Sequence, residues 1–111
     1  MELAFDSEGL RSLCEDESVA TRELGAVASD LLRHRLADLR AASSIADLLV
    51  GRPRMVVSAE IEQLVIDLNN GFVIVLQANH PKNPIKEGEG LDWEAISRLK
   101  VVHIGRDDES K

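Results

Sequence analysis

Aromatic side chains are nearly missing: the chain has no tyrosine, one tryptophan and two phenylalanines. Binding of unpaired bases by stacking needs a platform of exposed rings, so a generic single-strand RNA binder is a poor fit. Basic residues are also short, thirteen Lys and Arg against twenty Asp and Glu, and the resulting charge of -7 repels nucleic acid on average. With one cysteine, Cys14, an internal disulfide is excluded. Cys14 lies among apolar neighbours on an expected helix from Glu8 to Glu15, which favours a buried structural thiol over a nucleophile. No charged start followed by an apolar run marks a signal peptide or a membrane span, so a cytoplasmic chain without membrane association is expected.

Several chemistries lack their residues. There is no G-x-S-x-G, Walker or G-x-G-x-x-G motif, and His34, His80 and His103 are too far apart in sequence for metal-ligand spacing. Neither a metal nor a cofactor is expected. His34, between Arg33 and Arg35, reads as a surface residue, and His80, before Pro81, as a turn residue. His103 sits between Val102 and Ile104 on the expected last strand, where a neutral, hydrogen-bonded sheet histidine is favoured over an acid-base catalyst. Trp93 falls beside Leu91, Ile96 and Leu99 and reads as a core or cover residue.

What the chain does contain is pattern. At 111 residues and 44% apolar content it can bury one core and is too short for two comfortable domains, so a single domain over 1–111 is expected, with 105–111 a frayed tail. Met1 to Phe5 alternates weakly, as a short edge strand would, and Asp6 or Ser7 can cap the first helix. Leu24, Val27, Ala28, Leu31, Leu32, Leu36 and Leu39 recur at helical spacing, with Arg22, Arg33, Arg35 and Arg40 largely on the other side. This predicts one long basic amphipathic helix. Ser43 and Ser44 then cap a short helix, roughly Ile45 to Leu49, which Gly51 and Pro53 stop. The arginines at 33, 35, 40, 52 and 54 form either a local basic patch or, as the favoured reading, a solvated face.

Downstream the period changes from helix to strand. Arg54 to Ser58 and Gln63 to Leu68 read as strands, Asn69-Asn70-Gly71 as a hairpin turn, and Phe72 to Leu76 as a central strand. The prolines and glycines of Asn79 to Gly90 predict an exposed, mobile loop, followed by a helix from Leu91 to Leu99 and a strand from Lys100 to Ile104. The fold class is therefore α+β: an N-terminal strand and two helices packed on a twisted antiparallel sheet, with a short extra helix before the last strand.

Three stretches resemble one family. LRHRLADLRAASSIADLL at 32–49, EQLVIDLNNGFVIVLQAN at 62–79 and EGLDW at 89–93 are similar to segments of the HigB-like killer proteins of plasmid maintenance systems, within the RelE/ParE toxin superfamily. The resemblance spans nearly the whole chain. It implies a RelE/ParE-like fold, a helix-turn-helix antitoxin as partner, and metal-independent cleavage of messenger RNA on the ribosome. Such cleavage needs an acid, a base and cations on the scissile phosphate.

The family's catalytic runs fit poorly. Its first run falls on Arg54 to Glu60, with Arg54 for its histidine, Val57 for its lysine and Glu60 for its arginine; its hairpin-strand arginine is Val73. Its last run falls on Arg106-Asp107-Asp108, without tyrosine or histidine. Losing one acid-base group costs about 10²–10⁴-fold, so cleavage near background is expected. A rebuilt site would draw on Arg54, His103 and Arg106. Partner binding is assigned to Arg33, Arg35, Arg40 and Arg52, on the long helix and the sheet edge. Three readings follow: a toxin-component homologue with weak or absent cleavage, an active toxin with a rebuilt site or another target such as gyrase, and a non-enzymatic homodimeric interaction module pairing its N-terminal strand or first helices.

Overall fold

A computed structural model describes residues 1–88 and 90–107. Its order is β1 (Glu2–Phe5), α1 (Glu8–Glu15), α2 (Glu17–Leu24), α3 (Ala26–Ala41), a 3₁₀ turn (Ile45–Asp47), β2 (Arg54–Ser58), β3 (Ile61–Asp67), β4 (Phe72–Ala78), β5 (Ile85–Lys86), β6 (Gly90–Leu91), a 3₁₀ turn (Trp93–Ala95) and β7 (Arg98–Arg106). The α+β class stands, with three helices among the described residues rather than two. The five-stranded sheet runs β1-β7-β4-β3-β2 and is mixed, because β1 lies parallel to β7 while the other neighbours are antiparallel. An N-terminal strand that meets its neighbour only after three helices and five intervening strands has no hairpin to force it antiparallel.

The expected long helix is split. Gly25 takes φ +88, ends α2 by donating to the Thr21 carbonyl (2.9 Å) and starts α3 by accepting from Ser29 N (3.0 Å). A left-handed residue is cheap only for glycine, and here it folds α2 back onto α3. Helical periodicity runs across Gly25 in the sequence because both helices bury a face against the same core. Asp16 makes the other break, accepting from the amides of Ser18 and Val19 to cap α2.

Leu32, Leu36 and Leu39 of α3 pack on Leu64, Ile66, Ile74, Leu76, Leu99 and Val101, all fully buried. Each such side chain contributes about 1.5–3 kcal/mol relative to exposure. Val27, expected in this stripe, is instead exposed. At the end of α3 the amino group of Met1 donates to the carbonyls of Leu39, Arg40 and Ala42 at 2.7–3.0 Å, placing positive charge at the negative end of the helix.

Beyond α3 the short helix is one 3₁₀ turn: Ser44 Oγ accepts from Ala46 N, and Asp47 reaches back to accept from Ser43 N (2.9 Å). β2 has the expected bounds, and β3 begins two residues earlier than expected. Asn70 and Gly71 take positive φ in the β3–β4 turn, as the sequence predicts. The segment from Leu91 to Leu99 is not a helix. Leu91 lies in β6, Trp93 to Ala95 make a 3₁₀ turn, and Arg98 and Leu99 open β7, which runs on to Arg106 and takes in the first residues of the expected tail. Residues 108–111 of that tail and Glu89 of the EGLDW segment lie outside the described residues.

The proline-rich loop is exposed along most of its length, as expected, and is tied at both ends. His80 Nε2 accepts from the amides of Ser97 and Arg98 (3.0 and 3.3 Å), which fixes the neutral Nδ1–H tautomer, and Asn83 Oδ1 accepts from His80 N. Glu62 of β3 accepts from Leu91 N (2.8 Å) and Trp93 Nε1 (3.3 Å), clamping the far end while Trp93 is buried in the core.

Candidate functional site

Alternation along β3 and β4 gives the sheet two faces. The helices cover the one bearing Leu64, Ile66, Ile74 and Leu76. On the other, Val65, Val73 and Val75 form a separate buried cluster with Val102 beside it, and no helix residue belongs to it. Directly opposed residues of adjacent strands share a face. The pairings Arg54 with Val65, Val65 with Val75 and Val75 with His103 therefore draw one row across four strands, Arg54–Val65–Val75–His103. A bulge helps to place its last member: Leu76 pairs with Val101, so β7 carries Val102 as an extra residue between Val101 and His103.

The two ends of the row are three strand spacings apart, ~14 Å between backbones. Neither side chain spans that gap. Arg54 donates to Asp67 Oδ1 (3.0 Å) and to the Arg52 carbonyl, and Arg52 binds the other carboxylate oxygen of Asp67. The Asp67 side chain is 23% exposed. Burial is the largest single influence on its carboxyl and raises the pKa, yet the hydrogen bonds and charges of Arg52 and Arg54 together outweigh it and hold the group below the ordinary aspartate value. At the other end His103 donates from Nε2 to the Arg106 carbonyl (3.1 Å).

Arg106, the third candidate, is not in this row. It opposes Phe72, stacks its guanidinium over that ring at 4.7 Å and donates to the Asn70 carbonyl (2.7 Å). By the same alternation Phe72 shares the helix-covered face with Ile74, so the structure brings Arg54 and His103 onto one face and sets Arg106 on the rim of the other. A cleft of about 240 Å³ lies beside Arg54, lined by Arg52, Asp67, Val73 and Asp107 among others. Its charged lining is two arginines, Arg52 and Arg54, and two acids, Asp67 and Asp107, and Asp67 already binds both arginines, which suits a structural ion cluster better than a phosphate cradle.

The arginines assigned to a partner are also dispersed. Arg33 pairs with Asp30 (2.8 Å) and Glu17 (3.5 Å) on the exposed side of α3. Arg35 is only 13% exposed, reaches Asp38 at 4.0 Å and leaves a buried Nε without a partner. Arg40 is exposed near the end of α3, and Arg52 belongs to the Asp67 cluster. Beside them, Asp38, Ala41, Ala42, Asp47, Leu49 and Val50 line a cleft of about 390 Å³, with Leu49 87% exposed.

Other candidates resolve into structural roles. The Cys14 thiol is pushed up to about 12, chiefly by burial, and stays protonated. His34 is exposed with its ring on the Asp30 carbonyl. Among the described residues, no group of three or more His, Cys, Asp and Glu is placed to hold a metal ion, and no helix is long and apolar enough to cross a membrane. Asp67 and Glu62 were not foreseen. Alternation of β3 carried a signal for Asp67, since it falls on the face opposite Leu64 and Ile66; nothing local marked Glu62. No family model, no curated protein and no solved structure matches this chain.

Proposed function

We propose that this chain is a HigB-like toxin-component homologue of a type II toxin-antitoxin system, with a RelE/ParE-like scaffold, that binds a helix-turn-helix antitoxin in the cytoplasm and cleaves messenger RNA weakly or not at all. The observation that carries it is the state of Arg54. It is the one cation left in the family's first catalytic run, and on the bare face its guanidinium is held by Asp67 at 3.0 Å. A phosphate there would have to displace a carboxylate already bound by two guanidiniums. The resemblance of residues 32–49 and 62–79 supports the scaffold half of the reading. For the partner, the exposed Leu49 and Val50 beside α3 offer an apolar patch edged by Asp38 and Asp47.

The test is growth and pulse-labelled translation in a bacterial host, with the chain induced alone and then with the neighbouring reading frame. Translation at the uninduced level, together with a stable co-purifying complex, is the expected result. Arrest of translation relieved by the neighbour would overturn the loss of chemistry; His103→Ala and Arg54→Ala would then show whether the row on the bare face had been rebuilt into a site. Failure of the two chains to co-purify would overturn the partner.

A further inference from the structure

The sheet ends on one side at β2, whose far edge has no strand beside it among the described residues. Natural edges are usually blunted by lysine, proline, a bulge or an inward charge, because an open ladder recruits other strands. The five residues of β2 are Arg54-Met55-Val56-Val57-Ser58, and the three in the middle are all exposed, Val57 at 68%. The opposite edge differs: β1 is four residues long, begins with Glu2 paired to Arg98, and contributes no exposed large apolar side chain.

The geometry points to a second copy of this chain as the occupant, β2 pairing antiparallel with β2 across a two-fold axis at Val56. In that register Val56 faces Val56, Met55 faces Val57 and Arg54 faces Ser58, so all five residues pair and no like charges are opposed. The flanks match as well. Arg52, 79% exposed although bound to Asp67, comes toward Glu60 of the other copy, and Glu60 sits in the positive-φ turn after β2 with no ion pair among the described residues. A strand whose basic end, apolar middle and acidic end run in this order is complementary to itself only when reversed, and a two-fold axis supplies that reversal. Shifting by one residue would oppose inward-facing to outward-facing amides; shifting by two would leave strand residues unpaired. A contact of this length falls in the small interface class, so a weak, reversible association is expected.

The inference does not depend on the toxin reading, since it uses the edge and not the bare face. Sedimentation equilibrium of the whole chain should show a reversible dimer. Val56→Lys should raise its dissociation constant at least tenfold, Val56→Asp should do the same, and an equimolar mixture of the two variants should recover the dimer, because residue 56 faces itself. Circular dichroism melts of each variant establish that the monomers are folded. A wild-type chain that stays monomeric across the concentration range overturns the proposal, as does a dimer that Val56→Lys leaves intact or a mixture that does not recover. Binding of the edge by another protein, with no self-association, is also a refutation.

Discussion

The two faces of β3 and β4 bury their side chains by different means. One face lies under α3, where Leu64, Ile66, Ile74 and Leu76 interlock with Leu32, Leu36 and Leu39. The other has no helix residue in its cluster among the described residues, yet Val65, Val73 and Val75 are also buried, among register neighbours that include Arg54, Asp67 and His103. Apolar volume holds the first face, while on the second a thin layer of valine lies within a rim of polar groups that must satisfy one another. The rim also carries Arg54 and His103, so a change to either side chain reaches the packing of the valines beside it. In this chain the ion cluster has taken Arg54.

The comparison can be broken most sharply on adjacent residues of β4. Ile74→Ala should cost about 2–5 kcal/mol, since it opens a cavity against the rigid face of α3. Val75→Ala removes two methyl groups from the bare face and should cost about 2 kcal/mol at most, because the rim can settle inward. Urea unfolding followed through Trp93 measures both. Equal losses would mean that the bare face is packed as tightly as the covered one.

Gly51 joins the two faces and comes next in size. It has φ +86, and an added Cβ would meet Ile66 Cγ2 at 2.7 Å, Arg35 Nε at 2.8 Å and the Asp67 carbonyl at 3.1 Å. Gly51→Ala should therefore cost about 1–3 kcal/mol from backbone strain, with crowding added. It should also disturb the Asp67 cluster, because Asp67 N donates to the Gly51 carbonyl at 2.6 Å. A variant with wild-type stability would show that the 50–52 turn is free to move off α3.

How much of this was legible in the sequence follows from the range of each signal. The strands β2, β3 and β4 and the hairpin joining the last two were readable because the β-branched run of β2, the alternation of β3, the apolar run of β4 and the Asn-Gly turn act over a few residues; the tight turn at Ala59 and Glu60 that pairs β2 with β3 was not read. The caps were readable for the same reason, as Asp6 or Ser7 and as Ser43 with Ser44, and the structure uses Ser7 and Ser44. The split at Gly25 was hidden, since two helices that bury faces against one core keep a common periodicity. The segment 91–99 looked helical because Leu91, Ile96 and Leu99 are suitably spaced, but Glu62 binds Leu91 N and Trp93 Nε1 from β3, a contact that no local pattern carries. Likewise Arg54 was found as a residue while its state was not: Asp67 lies thirteen positions away and meets it only through the β2–β3 register.

Asp67→Asn tests the rim itself. It keeps the shape but removes the charge that both arginines bind, and should cost about 1–2 kcal/mol. It should also turn Arg54 toward the open sheet, so chloride or phosphate should stabilise the variant more than the wild type in thermal melts. No added anion sensitivity would mean that Arg54 is held by the Arg52 carbonyl and the fold rather than by Asp67.

The smallest effect is the dependence of this cluster on acid. Because the folded-state pKa of Asp67 lies below its unfolded value, the unfolded chain binds the extra proton first as pH falls. The stabilisation it contributes is complete above the unfolded aspartate value of about 4 and is lost as pH drops through the folded value. Asp16 is shifted the same way, led by its bond from the Ser18 hydroxyl, so wild-type acid sensitivity alone cannot be assigned to either carboxylate. The difference between wild type and Asp67→Asn can be. The gap in unfolding free energy between them should be constant near neutrality and should narrow below about pH 4, since the variant has no carboxyl at 67 to protonate. Parallel curves down to the acid transition would mean that Asp67 gains nothing from its two arginines beyond what water offers it, and that the bare face rests on its valines alone.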